Sequence, residues 1–112
     1  MRDRIAVIRS FCFHFLSYLM LVREVLLGLL LMLLLAGFLF SWFEDIRLTH
    51  AIYFTFITGL SIGYGDITPE TGLGAVVSII IGVIGMILTG MTIAVATRAL
   101  ADTTRDRIEQ KQ

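Results

Sequence analysis

The chain has 112 residues, of which 57% are hydrophobic and 16% are charged, and its formal net charge is zero. A single domain with so few charged residues is too apolar for an ordinary soluble protein, so the composition favours a membrane protein. The neutral charge and the lack of a basic stripe predict no nucleic-acid partner. The single cysteine, Cys12, excludes an internal disulfide, and no group of Cys and His residues predicts a metal site.

The first twenty residues combine basic and aromatic side chains. Residues 1–9, MRDRIAVIR, resemble the basic start of a signal peptide, but the apolar run that follows contains His14 and lacks a small-residue cleavage site. Two predictions stay open for residues 1–20. They form either an interfacial helix on the cytoplasmic side, with Arg9 and Arg23 reaching lipid headgroups, or an extension of the next helix.

Two uncharged segments, residues 25–43 and 72–97, are long enough to cross a bilayer. The apolar segment between them, residues 48–62, would span only about 22 Å as a helix, against a hydrocarbon core of about 30 Å. It can enter the membrane but cannot cross it. All the basic residues except Arg47 lie near the two ends of the chain. The positive-inside rule therefore predicts a multi-pass protein of the plasma or inner membrane with both termini in the cytoplasm.

The middle of the chain contains a glycine-rich stretch, TGLSIGYGDITP, at residues 58–69. Non-helical backbone at membrane depth must be buried in protein or line a water-filled cavity. One helical hairpin offers too little surface to enclose such a segment. The stretch therefore predicts several copies of the chain around a central pore.

The local chemistry of this stretch agrees with a pore. Thr49 is the expected N-cap of a short helix, and Gly59 is its expected terminator. After that helix, a row of carbonyl oxygens can face one direction only if alternate residues take a positive φ, which costs little at Gly63 and Gly65.

The stretch TGLSIGYGD, residues 58–66, resembles the selectivity-filter signature of potassium channels, TxxTxGYGD. The resemblance covers about residues 21–100 and is to the pore module of minimal two-helix bacterial channels. It implies an all-α membrane protein with two transmembrane helices, a re-entrant pore helix and a filter, assembled as a homotetramer around a central pore. The implied elements are an N-terminal segment at 1–20, an outer helix at about 21–43, a pore helix at about 49–58, a filter at 61–66, an inner helix at about 72–100 and a cytoplasmic tail at 101–112.

The resemblance also implies roles for individual residues. The filter residues that would bind K⁺ are Ser61, Ile62, Gly63, Tyr64 and Gly65. The residues that would support the filter are Asp66, Tyr53, Phe54 and Ile57. Cavity-lining positions, whose spacing falls on one helical face, are Met86, Thr89, Ile93, Ala94 and Thr97. Gly85 and Gly90 match the hinge positions of the inner helix, although small residues there also permit close helix packing.

The sequence departs from the signature at Ser61 and Leu60, where threonines are common, and at Ile57, where some bacterial members have a glutamate. These changes predict a looser innermost ion site and an Asp66 that lacks its usual partners. GYG is intact, so we predict a K⁺-selective channel that conducts passively, performs no enzymatic reaction and uses no organic cofactor. Its partners would be K⁺, membrane lipids and other copies of itself. The alternatives are a non-selective Na⁺/K⁺ channel of the same fold and a non-conducting helical-hairpin adaptor.

Overall fold

The structure is a computed structural model that describes residues 2–111, and within that range it contains four α-helices and no strand. The helices are α1 (Arg2–Leu21), α2 (Arg23–Glu44), α3 (Leu48–Gly59) and α4 (Gly72–Lys111). The chain divides into two compact units. The central unit is Val25–Gly90, and the terminal unit consists of the described residues before Val25 and after Gly90.

The start of α3 differs from the prediction. Thr49 was expected to be the N-cap, but the helix begins at Leu48 and its N-cap is Arg47, whose side chain forms no capping hydrogen bond. The backbone of Arg47 is extended (φ −60°, ψ 141°), and its carbonyl oxygen accepts the first helical hydrogen bond from the Ala51 amide at 3.0 Å. Thr49 therefore lies inside the first turn, and its prediction as the N-cap is wrong.

The end of α2 is closed by a C-terminal motif around Asp45. This residue takes a positive φ of 53°, and the Ile46 amide donates to the carbonyl oxygen of Ser41 at 3.3 Å. The Ser41 hydroxyl in turn donates to the carbonyl oxygen of Ile46 at 2.8 Å. These bonds satisfy carbonyl groups that a helix end otherwise leaves unpaired, and they turn the chain toward α3.

The last helix, α4, has 40 residues and continues through the segment that was predicted as the cytoplasmic tail. At 1.5 Å per residue it is about 60 Å long, twice the hydrocarbon thickness of a bilayer. Its final part carries i,i+4 ion pairs, Arg98 with Asp102 at 3.9 Å and Arg105 with Glu109 at 3.4 Å. Such pairs favour continued helix in a polar environment.

The first helix, α1, is separated from α2 by a break at Val22. The N-terminal segment is therefore a helix of its own and does not extend α2. By length and composition alone, α1, α2 and α4 are each long and apolar enough to cross a membrane, one more than the sequence analysis expected, and α1 is the least apolar of the three.

The core of the central unit joins α2, α3 and the first part of α4. Phe40 of α2 is fully buried and stacks on Phe54 of α3, with ring centroids 4.1 Å apart and an interplanar angle of 11°. Ala51 of α3 and Ile81 of α4 are also fully buried in this cluster. Close packing of these side chains fixes the short helix α3 between its two longer neighbours.

Glycines allow the closest approaches within the central unit. A Cβ atom on Gly37 of α2 would lie 2.7 Å from the hydroxyl oxygen of Thr55, which is itself fully buried. A Cβ atom on Gly85 of α4 would overlap the backbone of Gly59 at the end of α3. The C-terminal end of α3 therefore rests directly on the backbone of α4.

Candidate functional site

The segment from Ser61 to Asp66 begins where α3 ends, and backbone hydrogen bonds tie it to that helix. The carbonyl oxygen of Ile57, in the last turn of α3, accepts the amide of Ile62 at 2.9 Å and that of Gly63 at 3.1 Å. The Ser61 amide donates to the carbonyl oxygen of Thr58 at 3.1 Å. Ile57, which was predicted to support the filter, thus contacts the segment through its backbone carbonyl oxygen.

Positive φ angles occur at every second residue of this segment. They are 65° at Ser61, 57° at Gly63 and 83° at Gly65. The sequence predicted this conformation for the two glycines, and the structure has it. Ser61 extends the same alternation by one step, at a cost of about 1–2 kcal/mol for a residue with a Cβ atom. That serine was not predicted, because nothing in its side chain marks a positive φ.

The carboxylate of Asp66 lies close to Tyr53 of α3, and its Oδ1 accepts the Ile67 amide at 3.2 Å. That Asp66 lacks the partners usual in the family stays a prediction. Tyr53 lies one helical turn before Ile57, on the half-exposed side of α3, whereas the neighbouring Phe54 points into the core against Phe40. Of these two predicted supporting residues, Tyr53 is therefore the one that lies on the side of Asp66.

The predicted cavity-lining residues are placed on the exposed surface of α4 with one exception. Met86, Ile93, Ala94 and Thr97 are exposed, and Thr89 is half-buried. The Thr89 hydroxyl oxygen is shielded from solvent and has no hydrogen-bond partner within residues 2–111. The chain by itself does not gather these side chains into one enclosed site.

The two predicted hinge glycines have different surroundings. Gly85 is in close contact with Gly59, as described above, whereas a Cβ atom on Gly90 would meet nothing within 4 Å. Of the two roles left open in the sequence, close packing is the one that the surroundings of Gly85 support.

A carboxylate that the sequence analysis did not single out holds the start of α4. Both oxygens of Glu44 accept the amide of Glu70, at 2.9 and 3.1 Å, and Oε1 also accepts the amide and the hydroxyl of Thr71, at 3.0 and 2.8 Å. The Thr71 hydroxyl oxygen accepts the Gly74 amide at 2.9 Å, which makes Thr71 the N-cap of α4. We call this group of contacts the Glu44 brace.

The Glu44 brace joins the end of α2 to the start of α4 and so closes the loop that contains α3 and residues 61–66. A Cβ atom on Gly74 would overlap the Glu44 carboxylate, so the site needs glycine there. The position of Thr71, three residues before Gly74, is recognisable as an N-cap. Nothing in the sequence marks Glu44, 26 residues before Glu70, as a partner for the start of α4.

Glu44 lies beyond the uncharged stretch 25–43, and the hydrogen bond from the Glu70 amide is the main cause that lowers the pKa of its carboxyl from the ordinary 4.5. The folded state thus favours the charged carboxylate. The contribution of the Glu44 carboxylate to the stability of the folded state is fully present above pH 4.5, and it is lost as the pH falls through the lowered pKa.

We expect Glu44→Gln to lower the melting temperature of the purified protein, because a neutral amide is a weaker acceptor for the four hydrogen bonds of the brace. Thr71→Val should also lower the melting temperature, because loss of the N-cap costs about 1 kcal/mol of stability. The double variant should lose less than the sum of the two, because the residues share one interaction. Glu24→Gln, an exposed carboxylate at the other end of α2, is the control, and equal melting of E44Q and E24Q would contradict the brace.

Comparison with known proteins assigns the chain to a family. A family model described as "Ion channel" matches residues 28–102, about two thirds of the chain. The match takes in most of α2, all of α3, the segment 61–66 and α4 as far as Asp102. The chain therefore belongs to the ion channel family, and it is a membrane channel rather than an enzyme.

Curated relatives are potassium channels by name. The chain is 36% identical over 55 residues to the small conductance calcium-activated potassium channel-like protein 3 of Caenorhabditis elegans, covering 49% of this chain and 8% of that protein. It is 42% identical over 54 residues to the intermediate conductance calcium-activated potassium channel protein 4 of Rattus norvegicus (48% and 13%). It is 40% identical over 53 residues to the potassium channel subfamily K member 4 of Rattus norvegicus (47% and 13%). The chain thus spans about a tenth of the length of these relatives. No solved structure gives a significant match.

Proposed function

We propose that this chain forms the pore of a potassium-selective channel, a homotetramer in which residues 61–66 of each copy line a central axis and K⁺ passes down its gradient. The observation that carries the proposal is the backbone alternation at Ser61, Gly63 and Gly65, anchored to the end of α3, within the sequence SIGYGD. Such alternation is what a row of inward-facing carbonyl oxygens requires.

In this proposal the ion is held by backbone carbonyl oxygens that replace its hydration shell. They belong to the filter residues Ser61, Ile62, Gly63, Tyr64 and Gly65, and the Ser61 hydroxyl adds an oxygen at the inner end. The C-terminal ends of four α3 helices would face the ion with partial negative charge. At the membrane centre, where a cation is otherwise poorly solvated, this charge favours K⁺ entry.

Exposure of the filter segment supports the tetramer. Every residue from Ser61 to Asp66 is exposed in the single chain, and the ring of Tyr64 is 70% exposed. Exposed backbone polar groups at membrane depth are costly unless other protein or a water-filled pore covers them. Four copies around an axis would meet that requirement, and they would turn Met86 and Ile93 toward the cavity.

The placement of the basic residues supports a channel in the plasma or inner membrane with both termini in the cytoplasm. Half of residues 98–111 are charged, which is incompatible with a membrane interior. α1 contacts this polar segment, with His14 Nε2 2.8 Å from Asp106 Oδ2. We therefore assign α1 to the inner membrane surface, although its length and composition would also allow it to cross.

The test is K⁺ flux in liposomes that contain the purified 112-residue chain. We expect a flux that follows the K⁺ gradient and is blocked by Ba²⁺, which matches K⁺ in size but binds a carbonyl filter more strongly through its double charge. Protein-free liposomes give the background. A folded oligomer without Ba²⁺-sensitive flux would contradict the proposal and favour the helical-hairpin adaptor.

A further inference from the structure

A groove of about 400 Å³ runs between α1 and the last part of α4, within the terminal unit. Arg9, Ser10 and Phe13 form part of the wall on α1. Arg107 and Gln110 form part of the opposite wall on α4. Polar donors thus face the groove from both helices, and its volume is sufficient for a small polar headgroup.

The two arginines of the groove have no acidic partner. Within residues 2–111, neither Arg9 nor Arg107 has a carboxylate within 4.0 Å. Arg107 donates through one guanidinium nitrogen to the backbone carbonyl oxygen of Asp3 at 3.0 Å, which leaves its charge uncompensated. Arg105, two residues away, differs in this respect because it pairs with Glu109 at 3.4 Å.

One carboxylate does reach the groove, and it is already engaged. Asp106 Oδ2 lies 2.8 Å from His14 Nε2, so its hydrogen-bonding capacity is directed toward α1. The two guanidinium groups outnumber this single acid. The groove as a whole therefore favours an anion.

The surroundings of Arg9 select a lipid over a soluble anion. Ile5 and Phe13 lie one turn before and one turn after Arg9, and Leu16 and Met20 continue the same helical face. All four of these apolar side chains are more than half exposed. A guanidinium in the middle of an exposed apolar stripe suits a ligand with an anionic head and apolar chains, because the stripe can enter the acyl boundary while the arginine reaches the phosphate.

We propose that the groove binds the phosphate headgroup of an anionic phospholipid from the inner leaflet, with Arg9 and Arg107 as its ligands. A guanidinium can donate two parallel hydrogen bonds to phosphate oxygens, and two such groups on opposite walls enclose the headgroup. The bound lipid would join α1 to the extension of the inner helix. This inference rests on the proposed function only for its orientation, which places the terminal unit at the cytoplasmic surface.

The test measures lipid retained by the 112-residue chain after reconstitution in nanodiscs of phosphatidylcholine with phosphatidylglycerol and extraction into neutral detergent. Native mass spectrometry counts the phosphatidylglycerol that stays bound. We expect Arg9→Gln and Arg107→Gln each to lower retention about fivefold, the effect of removing one cationic side chain from an anionic lipid surface. Arg105→Gln, which removes an arginine already paired with Glu109, should retain the lipid like the unmodified protein.

Three results would overturn the proposal: unchanged retention in Arg9→Gln, equal loss in Arg105→Gln, or displacement of the lipid by soluble glycerol phosphate at equal concentration. The last result would identify a site for free anions. Helix content by circular dichroism verifies folding, and Arg9→Gln decides alone if Arg107→Gln does not fold. K⁺ flux is recorded on the same samples. Lipid retention without K⁺ flux would contradict the channel but not the lipid site, and K⁺ flux without lipid retention would contradict the lipid site but not the channel.

Discussion

Replacing Gly63 by alanine is expected to abolish K⁺ conduction while leaving the assembled protein intact. The glycine has a φ of 57°, and there is open space where a Cβ atom would lie, so the cost of alanine is conformational and not a collision. An L-residue pays about 1–2 kcal/mol for this φ, in every copy of the chain. The backbone should relax to a negative φ and turn its carbonyl oxygen away from the axis.

The measurement is Ba²⁺-sensitive K⁺ flux together with the oligomer band on a native gel. Gly28→Ala is a matched control, because this glycine lies in α2, has open space around it and has no positive φ. The control should conduct normally. Full K⁺ flux in Gly63→Ala would mean that Gly63 does not belong to a filter.

Replacing Gly85 by alanine should destabilise the protein itself. The new Cβ atom would overlap the backbone of Gly59, and backbone at the end of a packed helix cannot move aside as a flexible side chain can. Overpacking of this kind costs about 1–3 kcal/mol. We expect a lower melting temperature and a displaced α3, followed by weaker conduction.

Gly90→Ala separates packing from hinge motion, since it changes the same residue type five positions further along α4, in open space. It should preserve or slightly raise stability, because alanine favours helix by about 0.8–1.0 kcal/mol over glycine. If this variant conducts less while melting as before, Gly90 acts as a hinge. If Gly85→Ala melts no lower than Gly90→Ala, the contact with Gly59 does not carry the packing role assigned to it.

The helices α2, α3 and α4 and the glycine conformations within residues 61–66 were predictable from local sequence. Hydrophobic length marked α2 and α4, and the glycine spacing marked the positive φ angles at Gly63 and Gly65. Gly59, which was predicted to terminate α3, is instead its last helical residue, and Leu60 is the C-cap. These signals are local, since helix length and backbone freedom depend on neighbouring residues. The ion-binding roles of the filter residues remain predictions.

Contacts between distant residues were not predictable in the same way. Nothing in the sequence singles out Glu44, yet it holds residues 26 and 27 positions later. Such pairs depend on how the helices pack, and packing is decided by the whole core rather than by a motif.

The central claim is selectivity for K⁺, and the reversal potential of the reconstituted channel under bi-ionic conditions tests it most directly. With equal concentrations of K⁺ on one side of a planar bilayer and Na⁺ on the other, a carbonyl filter that fits K⁺ should shift the reversal potential far from zero toward the K⁺ equilibrium potential. A reversal potential near zero would contradict K⁺ selectivity and identify a non-selective cation channel.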